Sequence, residues 1–510
     1  MRRNITSLLG LTFLFSLLLV SCNTPTPDPT QIAILPDTPT TAPPIETVIL
    51  PTNQPVLSGD EGPTAIPVSA PERATYIINA TLDYQAKTVS MDQTILYPNH
   101  SGETLNNLVL AVVPNMWPGG FNLNALSVDD SPITNYDLQG QKLDFTLPTP
   151  FAPENTIKVT MQYTLILPFA EQLDPSVERP RIYGYTARQV NLANWYPFIV
   201  PYEAGAGWVL HDPWYYGEHL VYEAADFEVN LTTDPSVVVA ASGFHDPAEP
   251  VEAGSPVHYT LTAGRTFAIS ASPEFQTIST QVGDVTVSSY YFPFYEAPGK
   301  AVLDASAQAI EIYSQLYGPY PHKTLAVVMG DFNDGMEYSA LYFHSRGIYN
   351  LYNGKPDNLV VAVAVHETAH QWWFERVAND QALAPWMDEA LCAYSERIFY
   401  ERTHPDLVNW WWGYWVGRVG GSESLPKVDI TVYDGGGFTP YTNTVYLGGA
   451  HFLEDLRTRI GDQAFFAFLG DYAAQMDGKI ATPQDFFAIL RQHTSADISD
   501  LIANYFTNAY

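Results

Sequence analysis

The spacing of apolar residues changes once along this 510-residue chain, and that change limits what the chain can fold into. From Arg73 to Phe275 apolar and polar positions alternate in short runs rich in β-branched residues, such as TYIINATLDY (75–84), TVSMDQTILY (88–97) and IKVTMQYTLIL (157–167). A two-residue period sets successive side chains on opposite faces of a strand, and the intervening PNHSGE, DLQGQK and APEN are turn chemistry. After TVSSYYFPFY the period lengthens: AVLDASAQAIEIYSQLYG (301–318) repeats its apolar residues every three or four positions, as an amphipathic helix does. Helical patterns then continue to the C-terminus, with one strand-like run, TLAVVMGDF (324–332). The expected fold is multidomain: an all-β, sandwich-like domain over 73–275, then a mainly α domain with a small sheet over 276–510.

The first 72 residues read differently. MRRNITSLLGLTFLFSLLLVSC carries Arg2 and Arg3, an apolar run and a small residue before Cys22, the layout of a secretory signal over residues 1–22. LVSC resembles a bacterial lipobox, which implies cleavage before Cys22 and lipidation of its thiol, and so an extracytoplasmic, membrane-anchored protein. An uncleaved anchor fits less well, because the apolar run is shorter than the roughly 20 residues a spanning helix needs. Residues 23–72 are Thr/Pro-rich and expected to be a disordered linker, reaching on the order of 100 Å at roughly 3 Å per residue. With Cys22 lipidated, Cys392 has no intrachain partner and reads as a small buried filler. A formal charge of −32 repels phosphate backbones and argues against nucleic acid as a partner.

Chemistry concentrates in VAVHETAHQWWFERV (363–377). On a helix, residues four apart share a face, so His366 and His370 reach one ion, while Glu367, turned about 100° away, sits beside it. Two histidines and a glutamate are costly on so apolar a helix unless they are used. A catalytic zinc needs a third protein ligand and an open position, and Glu389 in WMDEALCAY follows His370 with eighteen residues between them.

This HExxH-x18-E arrangement resembles the membrane alanyl aminopeptidase family, gluzincin metallopeptidases with a thermolysin-like catalytic domain. GDFNDGMEYSAL contributes Gly335, Met336 and Glu337, similar to the family's Gly-x-Met-Glu-Asn motif, and YTNTVYLGGAHFLEDL places Tyr446 at the family's catalytic tyrosine. NWYPFIVPY and ADFEVNLTTDPSVVVAASG look related to its N-terminal domain, whereas the large helical C-terminal domain of many relatives has no counterpart here. The resemblance implies one Zn2+ held by His366, His370 and Glu389, Glu367 as general acid–base and Tyr446 as oxyanion donor. It also implies substrate binding by Gly335, Met336 and Glu337, the last taking the α-ammonium of peptides with a free N-terminus.

Three departures stand out: Tyr338 replaces the family's Asn, Gly448 a common Lys, and YTARQVNLANWYP offers Arg188 or Gln189 where a second amine anchor is usual. Trp372, Trp373, Trp386 and NWWWGYW (409–415) serve either as core or as walls of an apolar substrate pocket. Two other functions stay open at this point. One keeps the metal and drops the amine requirement, as an oligopeptide endopeptidase or an epoxide-opening enzyme. The other is an inactive binding module on the same fold.

Overall fold

A computed structural model describes residues 72–170, 182–249, 251–252, 254–332, 335–415 and 427–510. The signal, Cys22 and the Thr/Pro-rich linker lie outside the described residues.

The alternating runs form strands whose two-residue burial rhythm follows the sequence: in Ala74–Asp83 every second side chain is buried, from Ala74 to Leu82. This strand pairs antiparallel with Thr88–Pro98 and parallel with Ala225–Thr232, in the middle of a seven-stranded sheet. Two four-stranded sheets complete the β domain, one built around Leu105–Ala111 and Lys142–Phe151, the other around Val190–Leu192 and Ile269–Ser272.

From Gln276 onward the strands belong to a different, five-stranded sheet, ordered Gln276–Val282, Val285–Tyr291, Thr324–Gly330, Leu341–Ser345 and Met336–Tyr338. The last of these is an edge strand, antiparallel to its neighbour with Glu337 opposite Tyr342. The expected order of a β domain followed by a mainly helical domain with a small sheet is thus the observed one.

The helix Leu359–Ala369 runs through the centre of this second half, packed against the long helix Glu296–Tyr317 and against Trp386–Thr403. Asn358 starts it by accepting the Val360 amide at 2.9 Å. Val360, Val361, Ala362, Ala364 and Val365 are all buried, which explains why it is apolar on every side rather than amphipathic. Each buried valine stabilises this packing by about 1.5–3 kcal/mol.

The sequence pattern extends the helix through Val377, but it ends at Ala369 with His370 as its C-cap. Beyond it the amides of Trp372 and Trp373 both return to the Ala369 carbonyl, and the chain turns back at Phe374, whose φ of 142° is in the left-handed range. Burial outweighs propensity here: Trp372 packs on Tyr313 and Tyr320, and Trp373 on Tyr317 and Tyr472.

A buried polar junction fastens the β domain to this turn. Arg265, 2% exposed, donates to the carbonyls of Tyr222, Glu375, Arg376 and Lys479 at 3.0–3.2 Å. Burial pushes its pKa down to about 10, so it stays charged at neutral pH. Glu375 receives His322 Nε2 at 2.6 Å and Ser339 Oγ at 2.5 Å. A buried charge left without its partners typically costs about 3–5 kcal/mol, so the turn is held firmly.

His344, on the strand Leu341–Ser345, joins the sheet to the start of the central helix through Nε2, 2.9 Å from the Val360 carbonyl. Burial lowers its pKa to about 4 from 6.5. The unfolded chain therefore binds a proton that the folded chain refuses. The contribution, about 3 kcal/mol, is complete above about pH 6.5 and is lost as pH falls through about 4. Urea midpoints of the wild type should consequently drop more steeply between pH 7 and 4.5 than those of His344→Gln. Parallel slopes would refute this assignment.

Candidate metal centre

His366 and His370 turn their Nε2 atoms toward the same carboxylate oxygen: Glu389 Oε2 lies 3.2 Å from the first and 3.5 Å from the second. Zinc bonds of about 2.0–2.1 Å in a tetrahedral arrangement set donor atoms about 3.3–3.4 Å apart, close to both distances from Glu389 Oε2. All three residues are buried. Glu389 sits in the first turn of Trp386–Thr403 and is brought to the histidines by the packing of that helix on the central one.

The other ring nitrogens are committed elsewhere, which fixes how the imidazoles point. His366 Nδ1 lies 2.8 Å from Glu396 Oε1, and Glu396 Oε2 accepts the Trp411 indole N–H at 2.9 Å. His370 Nδ1 faces the Trp373 carbonyl at 3.1 Å, a group supplied by the turn that Arg265 and Glu375 anchor. Burial disfavours charge on His366, but Glu389 and Glu396 outweigh it and push the imidazole up to about 10. For Glu389 burial acts upward, and hydrogen bonds from His366 and His370 hold it well below the usual carboxylate range. Such a cluster favours positive charge between its members. A cation that displaces the imidazole protons would meet two neutral nitrogens and one carboxylate, a donor set that fits zinc.

Glu367 stands beside this cluster. One of its oxygens, Oε2, is buried and without a hydrogen-bond partner among the described residues, and burial pushes its pKa up to about 8. The other leaves no room at residue 335: a Cβ on Gly335 would lie 2.4 Å from Glu367 Oε1. Here glycine permits a close approach.

Glu337, 3% exposed on the edge strand, brings a carboxylate oxygen within 4.8 Å of the donor atoms of Glu367 and His370. Gln381 donates to Glu337 Oε1 at 3.1 Å and to Asp388 Oδ2 at 2.8 Å, while Asn379 donates to Asp388 Oδ1 at 3.1 Å. Burial, and then the neighbouring Glu389, push Asp388 up to about 7. Gly335 and Met336 lie on the partly exposed approach to this strand.

Tyr446 lies on the far side of Glu389 and donates its hydroxyl to Oε1. Its ring stacks on His366, 5.7 Å between centroids and 7° between planes. It occupies a wide π-turn, Asn443–Gly448, immediately before the regular helix Gly449–Ile460. Such turns often mark functional sites. From Tyr446 a chain of rings continues to Tyr441, at 6.1 Å, and on to Tyr216 of the β domain, at 5.2 Å.

Two points left open by the sequence are answered by these contacts. Arg188 pairs with Asp331 at 3.0 Å and lies over Phe292. Gln189 bonds Ser270, the Met329 carbonyl and the Asp331 amide. Both close a structural junction and neither lines the cavity at Glu337. The buried Trp372, Trp373, Trp386 and Trp411 are core, and the cavity beside Glu337 is walled by other aromatics. Glu396 went unnoticed in the sequence, although its position seven residues after Glu389 puts it two helical turns along the same face.

Comparison with known proteins agrees with this geometry. Residues 301–505 match the model of the Peptidase family M1 domain. Aminopeptidase N of Lactobacillus helveticus is 26% identical over 311 residues, 56% of this chain and 35% of that protein. Aminopeptidase M1-D of Oryza sativa subsp. japonica is 23% identical over 226 residues, 41% of this chain and 25% of that protein. The chain thus spans about a third or less of the length of these relatives. An M1 zinc metallopeptidase from Deinococcus radiodurans superposes with a TM-score of 0.64 at 18% identity, covering 87% of this chain and 96% of that one. A mutant of that enzyme bound to a Tyr-Ser-Ala substrate gives 0.61 at 19%, with 87% and 97% covered.

Because Glu396 alone holds the Nδ1 of His366 among the described residues, Glu396→Gln should weaken zinc about 10–100-fold in a chelator competition and leave the circular dichroism spectrum unchanged. Unaltered affinity would show that the ring is oriented by packing. Residues 301–505 of this chain thus resemble a Peptidase family M1 domain, and His366, His370 and Glu389 are placed to hold one zinc ion.

Proposed function

We propose that the chain is a zinc-dependent aminopeptidase that removes N-terminal residues from short peptides outside the cytoplasm, tethered through lipidated Cys22. The observation that carries the peptidase reading is the placement of Glu337, a buried carboxylate within 4.8 Å of both the base and a metal ligand. The aminopeptidases among the relatives point the same way.

When bound, zinc supplies Lewis acidity and lowers the pKa of water toward 7. The chain's own groups do the rest. Glu367, with one oxygen unpartnered, takes a proton from the attacking water and delivers it to the departing amine. A cation at the neighbouring cluster lowers Glu367 from the raised value it has by burial alone, which suits a base that must also act as an acid. Tyr446 turns its hydroxyl from Glu389 to the oxygen of the carbonyl under attack. Glu337 pairs with the α-ammonium, so the first peptide bond, and no later one, reaches the base. Gln381 and Asp388 keep that carboxylate in place.

Aminoacyl anilides and their N-acetylated twins, assayed with and without chelator, test this directly. Free-amine substrates should be cleaved at least about 100-fold faster than the acetylated ones, since an unpaired Glu337 forfeits about 3 kcal/mol or more. Glu367→Gln should lower kcat about 10²–10⁴-fold with KM little changed. Equal turnover of the two substrate series would point to an endopeptidase, and no turnover of either to a binding module.

The tether rests on the lipobox-like LVSC and the linker behind it. Cys22→Ser should move the full chain from the membrane fraction to the soluble one and abolish labelling by a radioactive fatty acid. Persistence in the membrane would mean another means of attachment.

A further inference from the structure

The loop that leads into the helix Trp386–Thr403 carries an amide that is only half used. Gln381, 3% exposed, commits its side-chain nitrogen to two carboxylates: Nε2 donates to Glu337 Oε1 at 3.1 Å and to Asp388 Oδ2 at 2.8 Å. A primary amide has two such donors and, on its oxygen, two acceptor positions. Among the described residues Gln381 Oε1 accepts no hydrogen bond, yet it is not sealed from water. Gln381 and Glu337 line the same cavity, of about 290 Å³.

We infer that Gln381 Oε1 is a second acceptor for the substrate's α-ammonium, so that Gln381 binds substrate as well as steadying Glu337. The inference rests on the aminopeptidase reading, which brings the ammonium to Glu337.

The need for a second acceptor comes from the ammonium itself. It carries three N–H donors, and a carboxylate on one side of it does not face all three. A donor that loses its water and finds no partner costs as much as a lost hydrogen bond to a charged group. Reach is not a difficulty. An ammonium bonded at about 2.9 Å to two oxygens spans them up to about 4.7 Å apart. Gln381 Nε2 touches Glu337 Oε1, and a planar amide carries its oxygen beside that nitrogen, so Oε1 and the Glu337 carboxylate border the cavity side by side. An amide oxygen also adds an acceptor without adding charge. That matters where Glu337, Glu367, Asp388, Glu389 and Glu396 are already buried together.

The acceptor is held in place before substrate arrives. Two donors on two carboxylates fix the plane of the amide, and the reverse flip would set its oxygen against both. The main chain is tied as well. Asp380 Oδ1 accepts the amides of Ala382 and Leu383 at 3.1 and 3.0 Å, and its Oδ2 lies 2.7 Å from Nε2 of His211, in the β domain. The Ala382 carbonyl accepts the Val432 amide at 2.9 Å. Little ordering is left for the substrate to impose.

The test measures binding of one tripeptide by calorimetric titration, with its α-amine free, N,N-dimethylated or acetylated. The zinc-loaded Glu367→Gln protein, which leaves the peptide intact, is the background. Dimethylation keeps the positive charge and leaves one N–H, enough for Glu337 but not for a second acceptor. It should weaken binding about tenfold or more with Gln381 present, and about threefold or less in Gln381→Met. A residue that only steadied Glu337 would weaken both peptides alike and leave that ratio unchanged. Each ratio comes from a single preparation, so a variant that is partly unfolded still reports it. Gln381→Asn, one methylene shorter, gives a second reading with the same expectation. Glu218 lines the same cavity, and Glu218→Gln is the comparison. A dimethylation cost that is unchanged in both Gln381 variants, or that falls only in Glu218→Gln, overturns the inference. Acetylated peptide binding as tightly as free peptide would instead overturn the aminopeptidase reading beneath it.

Discussion

One carboxylate oxygen, Glu389 Oε2, lies between two imidazole nitrogens, and much of the catalytic half is arranged to keep it there. The setting is acidic: Glu337, Glu367, Asp388, Glu389 and Glu396 are all buried around only two histidines. In low dielectric such a balance raises the energy of the protein alone, visible as Glu367 and Asp388 displaced upward and His366 held charged. A divalent cation relieves all of these at once. The cluster is best understood as a site whose stability is completed by its ion, as is common where ligands are assembled by folding.

The β domain takes part in this assembly. Arg265 grips the turn 370–377 by its carbonyls, and that turn offers the Trp373 carbonyl to His370. Further along, the β-domain segment around Tyr216 reaches Tyr446 through Tyr441, and Tyr216 Oη also accepts the Gly437 amide at 3.1 Å. There is little room to loosen this contact: a Cβ on Gly217, at a φ of 69°, would meet Val432 Cγ1 at 2.7 Å. Two of the groups around the metal thus depend on residues more than a hundred positions earlier in the chain.

The clustering of His366, His370 and Glu389, with Glu367 beside them, was legible because they lie on two helices at fixed spacing, and helical geometry alone brings i and i+4 together. The switch of period near residue 275 likewise separated the two halves. What the sequence hid depended on tertiary packing. The helix was expected to continue past His370, and the burial of Trp372 and Trp373 in different directions ended it. Arg188 and Gln189 stood at the expected place along the strand, yet their side chains turn to Asp331 and Ser270. Gln381 and Phe374 carry no local pattern at all; they matter because a loop and a strained turn deliver them to Glu337 and to the cavity.

The same acidity that draws in the metal bears on the choice of substrate. A carboxylate of Glu337's kind, buried and held by an amide donor, gains from an ammonium group more than a surface carboxylate would, because little water competes. Neighbouring negative charges strengthen that gain, and a cation held by His366, His370 and Glu389 would offset part of it. A neutral acylated amine brings no charge to the same position and must still displace the water that solvates Glu337. On the proposed aminopeptidase reading, discrimination between free and blocked N-termini would follow from the charge balance of the buried site, with no steric block needed at the end of the cleft.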